Sequence, residues 1–132
     1  MNHAIDVTGT GIVKYALDIK EEALFTFQEC VSVYSTPLLY ELIGNCYFVQ
    51  KNYAKAIENF NIAKNIQPNR FTPLYCLLKL YAALDDKENT VKYANAIITM
   101  DEKVPSPKTK NIKKIASEYL IKLKITNDNK TN

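Results

Sequence analysis

The chain of 132 residues holds one histidine, no tryptophan, three glycines and three cysteines, and each scarcity excludes something. With His3 as the lone imidazole, neither a Ser/His/Asp relay nor an HExxH zinc helix can be assembled, and no glycine-rich phosphate loop is present. Asp85-Asp86 and Glu21-Glu22 are adjacent pairs, so neither sets two carboxylates on one helical face as an acid–base couple requires. These absences point away from an enzyme, a cofactor and a bound metal. Cys30, Cys46 and Cys76 form no CxxC pair; an odd set on apolar helix faces reads as buried free thiols, which favours a reducing compartment. No window approaches the roughly 20 apolar residues of a membrane span. Met1 to Thr10 has neither the basic opening nor the apolar run of an export signal, so the expectation is a soluble chain. Arginine is nearly missing as well. Sixteen of the seventeen basic residues are lysine and only Arg70 can offer a bidentate fork, which argues against a nucleic-acid surface.

What remains is a chain with 47% apolar and 23% charged residues, ordinary for a folded domain, and with no strand-like alternation of any length. The expectation is an all-α fold. Leu39, Leu42, Ile43, Cys46 and Tyr47 recur at helical three-and-four spacing. Tyr53, Ala56, Ile57, Phe60 and Ala63 do the same after a break at Gln50-Lys51-Asn52. Two short amphipathic helices joined by a polar turn make a hairpin. Gly44 and Ala56 are small enough to let its backbones approach, Tyr47 and Phe60 fill the space around that contact, and Pro68 stops the second helix just before it. Helix starts are marked by Thr36-Pro37, Thr72-Pro73 and Ser106-Pro107, each a hydroxyl cap before a proline at the first helical position. The separations, 36 and 34 residues, indicate an internal repeat.

The residues Tyr40-x2-Ile43-Gly44-x2-Tyr47, Ala56-x3-Phe60-x2-Ala63 and Pro68 resemble the tetratricopeptide repeat, with Tyr40 where Trp is commonest and Ile43 in place of Leu. The resemblance implies an α-α superhelix of helical hairpins closed by a C-terminal capping helix. On this reading residues 1–35 form a partial first repeat, 36–70 the best-matching repeat, 71–102 a divergent repeat, 103–126 a basic capping helix and 127–132 a frayed tail. Gly11 to Leu17 reads as the end of a first helix, and Ala23, Phe27 and Cys30 repeat the second-helix spacing. In the divergent repeat Leu74, Leu77, Leu78 and Tyr81 match Tyr40, Ile43, Gly44 and Tyr47 at a constant shift of 34. Leu78 in place of Gly44 predicts a looser or shifted crossing of the two helices. Asn89, Tyr93 and Ala96 stand for Ala56, Phe60 and Ala63 if one residue is dropped from the turn near Asp85-Asp86.

In this family the first helices of successive repeats line a concave groove that takes a peptide or helix of a partner protein. The residues off the packing stripes are Leu38, Glu41, Asn45, Phe48 and Val49, followed by Tyr75, Lys79 and Ala82. Asn45 stands at a place that chaperone-binding members use for a carboxylate clamp, but Glu41 replaces the lysine such a clamp needs, which disfavours a chaperone adaptor.

Charge is divided along the chain. Residues 1–102 hold nine Lys or Arg against twelve acids, a net of −3, and residues 103–132 hold eight Lys against two acids, a net of +6. The last helix, from about Pro107 to Lys124, carries an apolar stripe of Ile112, Ile115, Ala116, Tyr119, Leu120 and Leu123. Lys108, Lys110, Lys113, Lys114, Lys122 and Lys124 cover the rest. Such a helix caps a stack, and its basic face, Lys110, Lys113 and Lys114 above all, is also suited to an anionic membrane surface. A narrower resemblance covers residues 68–120: Pro68-Asn69-Arg70-Phe71, Pro73-Leu74-Tyr75 and Lys103-Val104-Pro105-Ser106-Pro107 look like the soluble C-terminal tail of O-antigen ligase or polymerase-like membrane proteins of the Bacteroides group. That resemblance implies chemistry in a membrane part outside this chain and a tethered location. The exposed face of the first helix also suits a homodimer.

Overall fold

The computed structural model describes the backbone of residues 9–130 and the side chains of residues 21–124; His3, the side chains of Gly11 and Tyr15, and the end Thr131-Asn132 lie outside the described residues. The fold is all-α. Among the described residues there are six helices and no strand: α1 (Gly9–Val33), α2 (Pro37–Val49), α3 (Tyr53–Ile66), α4 (Phe71–Ala83), α5 (Lys87–Thr99) and α6 (Pro107–Lys130). They fall into two compact units, Met1–Ile66 and Gln67–Asn132.

In the first unit α2 packs against both α1 and α3. Thr36 has extended backbone and its side chain accepts a hydrogen bond from the Leu39 N–H, so the hydroxyl cap before Pro37 is as the sequence announces. The core is Ile43, Gly44 and Cys46 against Ala56, Phe60 and Ala63. Gly44 lies directly under the Phe60 ring, so the small residue is required by a close approach. α3 ends at Ile66, two residues before Pro68. Between α1 and α2, the Gln28 amide donates to the Tyr47 hydroxyl at 3.0 Å.

In the second unit α5 packs against α4 and α6, and α6 reaches α4 more lightly. Its interior joins Leu74, Leu77, Leu78 and Leu80 to Tyr93, Ala94 and Ile97, with Ile112 and Ala116 of α6 closing the far side. Ser106 and Thr109 cap α6 reciprocally: Thr109 N–H donates to Ser106 Oγ and Ser106 N–H donates to Thr109 Oγ1, both at 3.1 Å.

The hairpins α2–α3 and α4–α5 repeat one another atom by atom at their turns. Lys51 N–H donates to the Phe48 carbonyl at 3.0 Å and Asn52 N–H to that of Tyr47 at 2.9 Å; thirty-four residues on, Asp85 N–H donates to Ala82 at 3.1 Å and Asp86 N–H to Tyr81 at 3.0 Å. Both are Schellman endings, and both place a non-glycine residue in the left-handed region, Lys51 at φ 62° and Asp85 at φ 57°. The next residue caps the following helix in each case. Asn52 Oδ1 accepts from Lys55 N–H, and Asp86 Oδ1 accepts from Asn89 N–H.

Several expectations need correction. No residue is lost from the Asp85-Asp86 turn: at the unbroken shift of 34 the positions of Ala56, Phe60 and Ala63 belong to Thr90, Ala94 and Ile97, all of them buried. The residues Asn89, Tyr93 and Ala96 therefore do not stand in that register, although Tyr93 is buried too. Thr72 does not cap α4, which begins at Phe71 after Arg70. Pro73 then lies inside the first turn, where an absent N–H costs nothing because those donors have no intrahelical acceptor. The helix break expected after Leu17 is not there, because α1 runs on from Gly9 through Leu17-Asp18-Ile19-Lys20, which contains neither proline nor glycine. α6 stays helical through Lys130, past the point where fraying is expected. Cys46 and Cys76 are buried and form no disulfide, as expected, but Cys30 is exposed; among the described residues α1 packs against α2, and Cys30 lies on its open flank.

Candidate partner-binding surface

The residues singled out from the sequence divide into three groups once the helices are packed. Leu38 and Val49, at the two ends of α2, are open to solvent at 53% and 41%. Asn45 and Phe48 are half-buried, and Phe48 meets Tyr53 of α3 edge-on at 5.8 Å, so its ring closes the hairpin as much as it faces outward. Glu41 is interior, with 1% of its surface exposed. A helix packed on two sides buries more of its circumference than a lone hairpin suggests, and Glu41 is therefore removed from the set of outward residues.

On α4, Tyr75 is half-buried and Lys79 exposed; the ammonium of Lys79 sits 4.7 Å from the centre of the Tyr75 ring. That pair presents a cation over an aromatic face, a combination that receives either a carboxylate or another ring. Lys110 and Lys114 are exposed on α6, but Lys113 is not part of the same open face. Its ammonium donates to the Met100 carbonyl at 2.7 Å and to the Ile98 carbonyl at 3.3 Å, at the C-terminal end of α5, and lies 5.8 Å from the Phe71 ring. A cation at a helix C-terminus satisfies carbonyls that have no intrahelical donor, so Lys113 joins helices instead of facing a partner.

Sequence reasoning missed a cleft of about 350 Å³ within the second unit, lined by Ala82, Asp85, Lys87, Thr90, Tyr119, Lys122 and Leu123. Its lining is split between residues around the α4–α5 turn and the middle of α6, so no local spacing announces it. Nearby, the Tyr81 and Tyr93 rings stack at 5.6 Å and 6°. Burial raises the Tyr81 phenol above its ordinary value, and the charges of Tyr93 and Asp86 push the same way. Asp86 is held below its ordinary value by the Asn89 side-chain amide and then by the Asn89 backbone N–H.

Among the described residues no three His, Cys, Asp or Glu side chains stand together in a way that would hold a metal ion. No described helix is long and apolar enough to cross a membrane. No protein-family model matches the chain, and no curated protein matches its sequence.

Proposed function

We propose that this chain is a non-catalytic protein-interaction module of the tetratricopeptide-repeat kind. The first helix of each hairpin, α2 in one unit and α4 in the other, offers its own surface to a peptide or helix of a partner protein. The observation that carries the reading is the repetition of one hairpin at a shift of 34 residues, down to the turn hydrogen bonds, while the first-helix positions off the packing stripe differ between the copies: Leu38, Glu41, Asn45, Phe48 and Val49 against Thr72, Tyr75, Lys79, Ala82 and Ala83. Conserved interior geometry with variable outer residues is how repeat scaffolds keep a fold while presenting different contacts. Leu38 and Val49 supply exposed apolar anchors, and the Lys79–Tyr75 pair supplies a cationic aromatic one.

A peptide-display selection against the full chain tests this, run in parallel on Leu38→Asp/Val49→Asp and on Tyr75→Ala/Lys79→Ala. All four side chains are at least partly exposed, so the helical circular dichroism and melting curve of the variants should stay near those of the parent. Sequences enriched by the parent and lost by either variant support the reading. A selection that enriches nothing, or enriches the same sequences on all three proteins, overturns it.

A further inference from the structure

We propose that the outward face of α6 docks on the surface of a bilayer containing anionic phospholipid, lying along that surface without crossing it. The packing of the second unit decides which side of the helix is free to do so. Ile112 and Ala116 are buried where α6 packs on α5 and α4, and Lys113 reaches inward to the last carbonyls of α5. The opposite side carries Lys110, Lys114, Ser117, Ile121 and Lys124; Ser117 is half-buried, the others are exposed, and Ile121 is 60% open. At 3.6 residues per turn and 1.5 Å per residue these five stay within about 40° of one line and cover about 21 Å of it. Glu118, the one acid between Pro107 and Lys124, stands about 80° off that line. Among the described residues the ammonium groups of Lys110, Lys114 and Lys124 have no ion-pair partner.

The row is uniform in sign, so its partner is negative, and the residue types narrow which one. Lysine is a point charge without the planar fork that reads a carboxylate or phosphate in fixed geometry, and the row holds no arginine. Such a row suits a diffuse surface potential, which asks for charge near a plane and nothing more exact. Ile121 separates a bilayer from other polyanions. It lies between Lys114 and Lys124 on the same line, and a partner that is polar and negative throughout has nothing to set against it. A bilayer has hydrocarbon directly beneath its charged headgroups, so an isoleucine among lysines enters that boundary while the ammonium groups stay at the phosphates. Val104, 80% exposed beside the exposed Lys103 in the segment that leads into α6, repeats the pairing of an apolar side chain with a lysine. Three lysines on the row fall short of the polybasic clusters of about four to eight that hold proteins firmly at membranes, so the attachment is weak and reversible.

Co-sedimentation of the full chain with vesicles tests this, using phosphatidylcholine alone and phosphatidylcholine carrying about one-third phosphatidylglycerol. Each is run at about 0.1 M and about 1 M salt, between which the screening length falls from about 10 Å to about 3 Å. The parent should pellet with the anionic vesicles at the lower salt, be released at the higher, and ignore phosphatidylcholine. Lys110→Glu/Lys114→Glu/Lys124→Glu should lower the partition coefficient at least about tenfold, and Ile121→Ser about threefold or more. Lys51→Glu/Lys55→Glu/Lys92→Glu changes net charge equally at three exposed lysines away from α6, and should stay within about threefold of the parent. Circular dichroism on each variant separates lost contact from lost fold. A parent that leaves anionic vesicles unbound at the lower salt overturns the proposal, as does binding that the two triple reversals weaken alike. Association with soluble poly-glutamate or duplex DNA that the α6 reversal abolishes, while vesicles stay bare, would assign the row to a macromolecular partner and overturn it too.

Discussion

The Phe60 ring occupies the space into which a side chain at Gly44 would project: a Cβ built on Gly44 would lie 2.6 Å from Phe60 Cδ1. In the second hairpin the same two positions hold Leu78 and Ala94, each fully buried. Bulk has moved from the second helix to the first.

This exchange predicts a coupling that double substitution reads. Gly44→Ala forces the ring aside and should destabilise by about 1–3 kcal/mol, and Phe60→Ala opens a cavity worth about 3–5 kcal/mol. Gly44→Leu/Phe60→Ala rebuilds the arrangement of the second hairpin, so urea denaturation should show it to be more stable than the sum of its single variants by at least about 1 kcal/mol.

Lys51 closes α2 with a left-handed backbone, φ 62°, in a Schellman ending whose hydrogen bonds come from the main chain. Glycine adopts that conformation without Cβ crowding. Lys51→Gly should therefore stabilise the chain by roughly 0.5–1 kcal/mol in chemical denaturation, the relief of the steric term exceeding glycine's entropic cost.

Thr36 and Thr72 both precede proline, but only Thr36 caps a helix. Thr36→Ala should lower stability by about 1 kcal/mol, whereas Thr72→Ala should change it by less than about 0.5 kcal/mol. Equal losses in thermal melts would contradict the N-terminal boundary of α4.

The Lys113 ammonium holds the last carbonyls of α5, and Lys114 beside it is exposed. Lys113→Met should cost about 1–2 kcal/mol, since carbonyls at a packed helix end lose a charged donor, and Lys114→Met less than about 0.5 kcal/mol. The comparison removes one positive charge in each case, so net charge does not explain a difference.

Asp86 supplies a pH-dependent part of stability. Its folded carboxyl titrates below the ordinary 3.8 because Asn89 donates to the ionised form from its side chain and its backbone. The contribution is thus present in full above the ordinary value and is lost as pH falls through the lowered folded value. The melting temperature of Asp86→Ala should lie below that of the parent at neutral pH, and the two curves should converge as the pH drops under 3.8. A gap that stays constant across that range would remove the linkage.

Much of the helical scaffold is legible before any folding is considered. The ends of α2 and α3, the turn at Lys51-Asn52, the cap at Ser106 and the apolar stripe of α6 rest on dihedral limits, caps and three-and-four spacing within a few residues of each other. The 34-residue period is legible for the same reason, although the α5 register came out one residue away from expectation. Tyr93 and Ala96 mimic Phe60 and Ala63 in type, and burial together with the unbroken shift of 34 identifies Thr90, Ala94 and Ile97 as the equivalents.

Which side of each helix meets solvent was decided by the tertiary structure. Glu41 goes inside because α2 is packed on two sides, Cys30 stays outside because the described part of α1 is packed on one, and Lys113 turns inward because the end of α5 offers it carbonyls. The sequence by itself determined where helices begin, turn and carry an apolar stripe, since those are contests between neighbouring backbone and side-chain groups. The width of each buried face, and hence the choice between interior and surface for residues at its edge, depends on how many helices arrive to cover it. That number is a property of contacts between residues far apart in the chain, which local spacing does not encode.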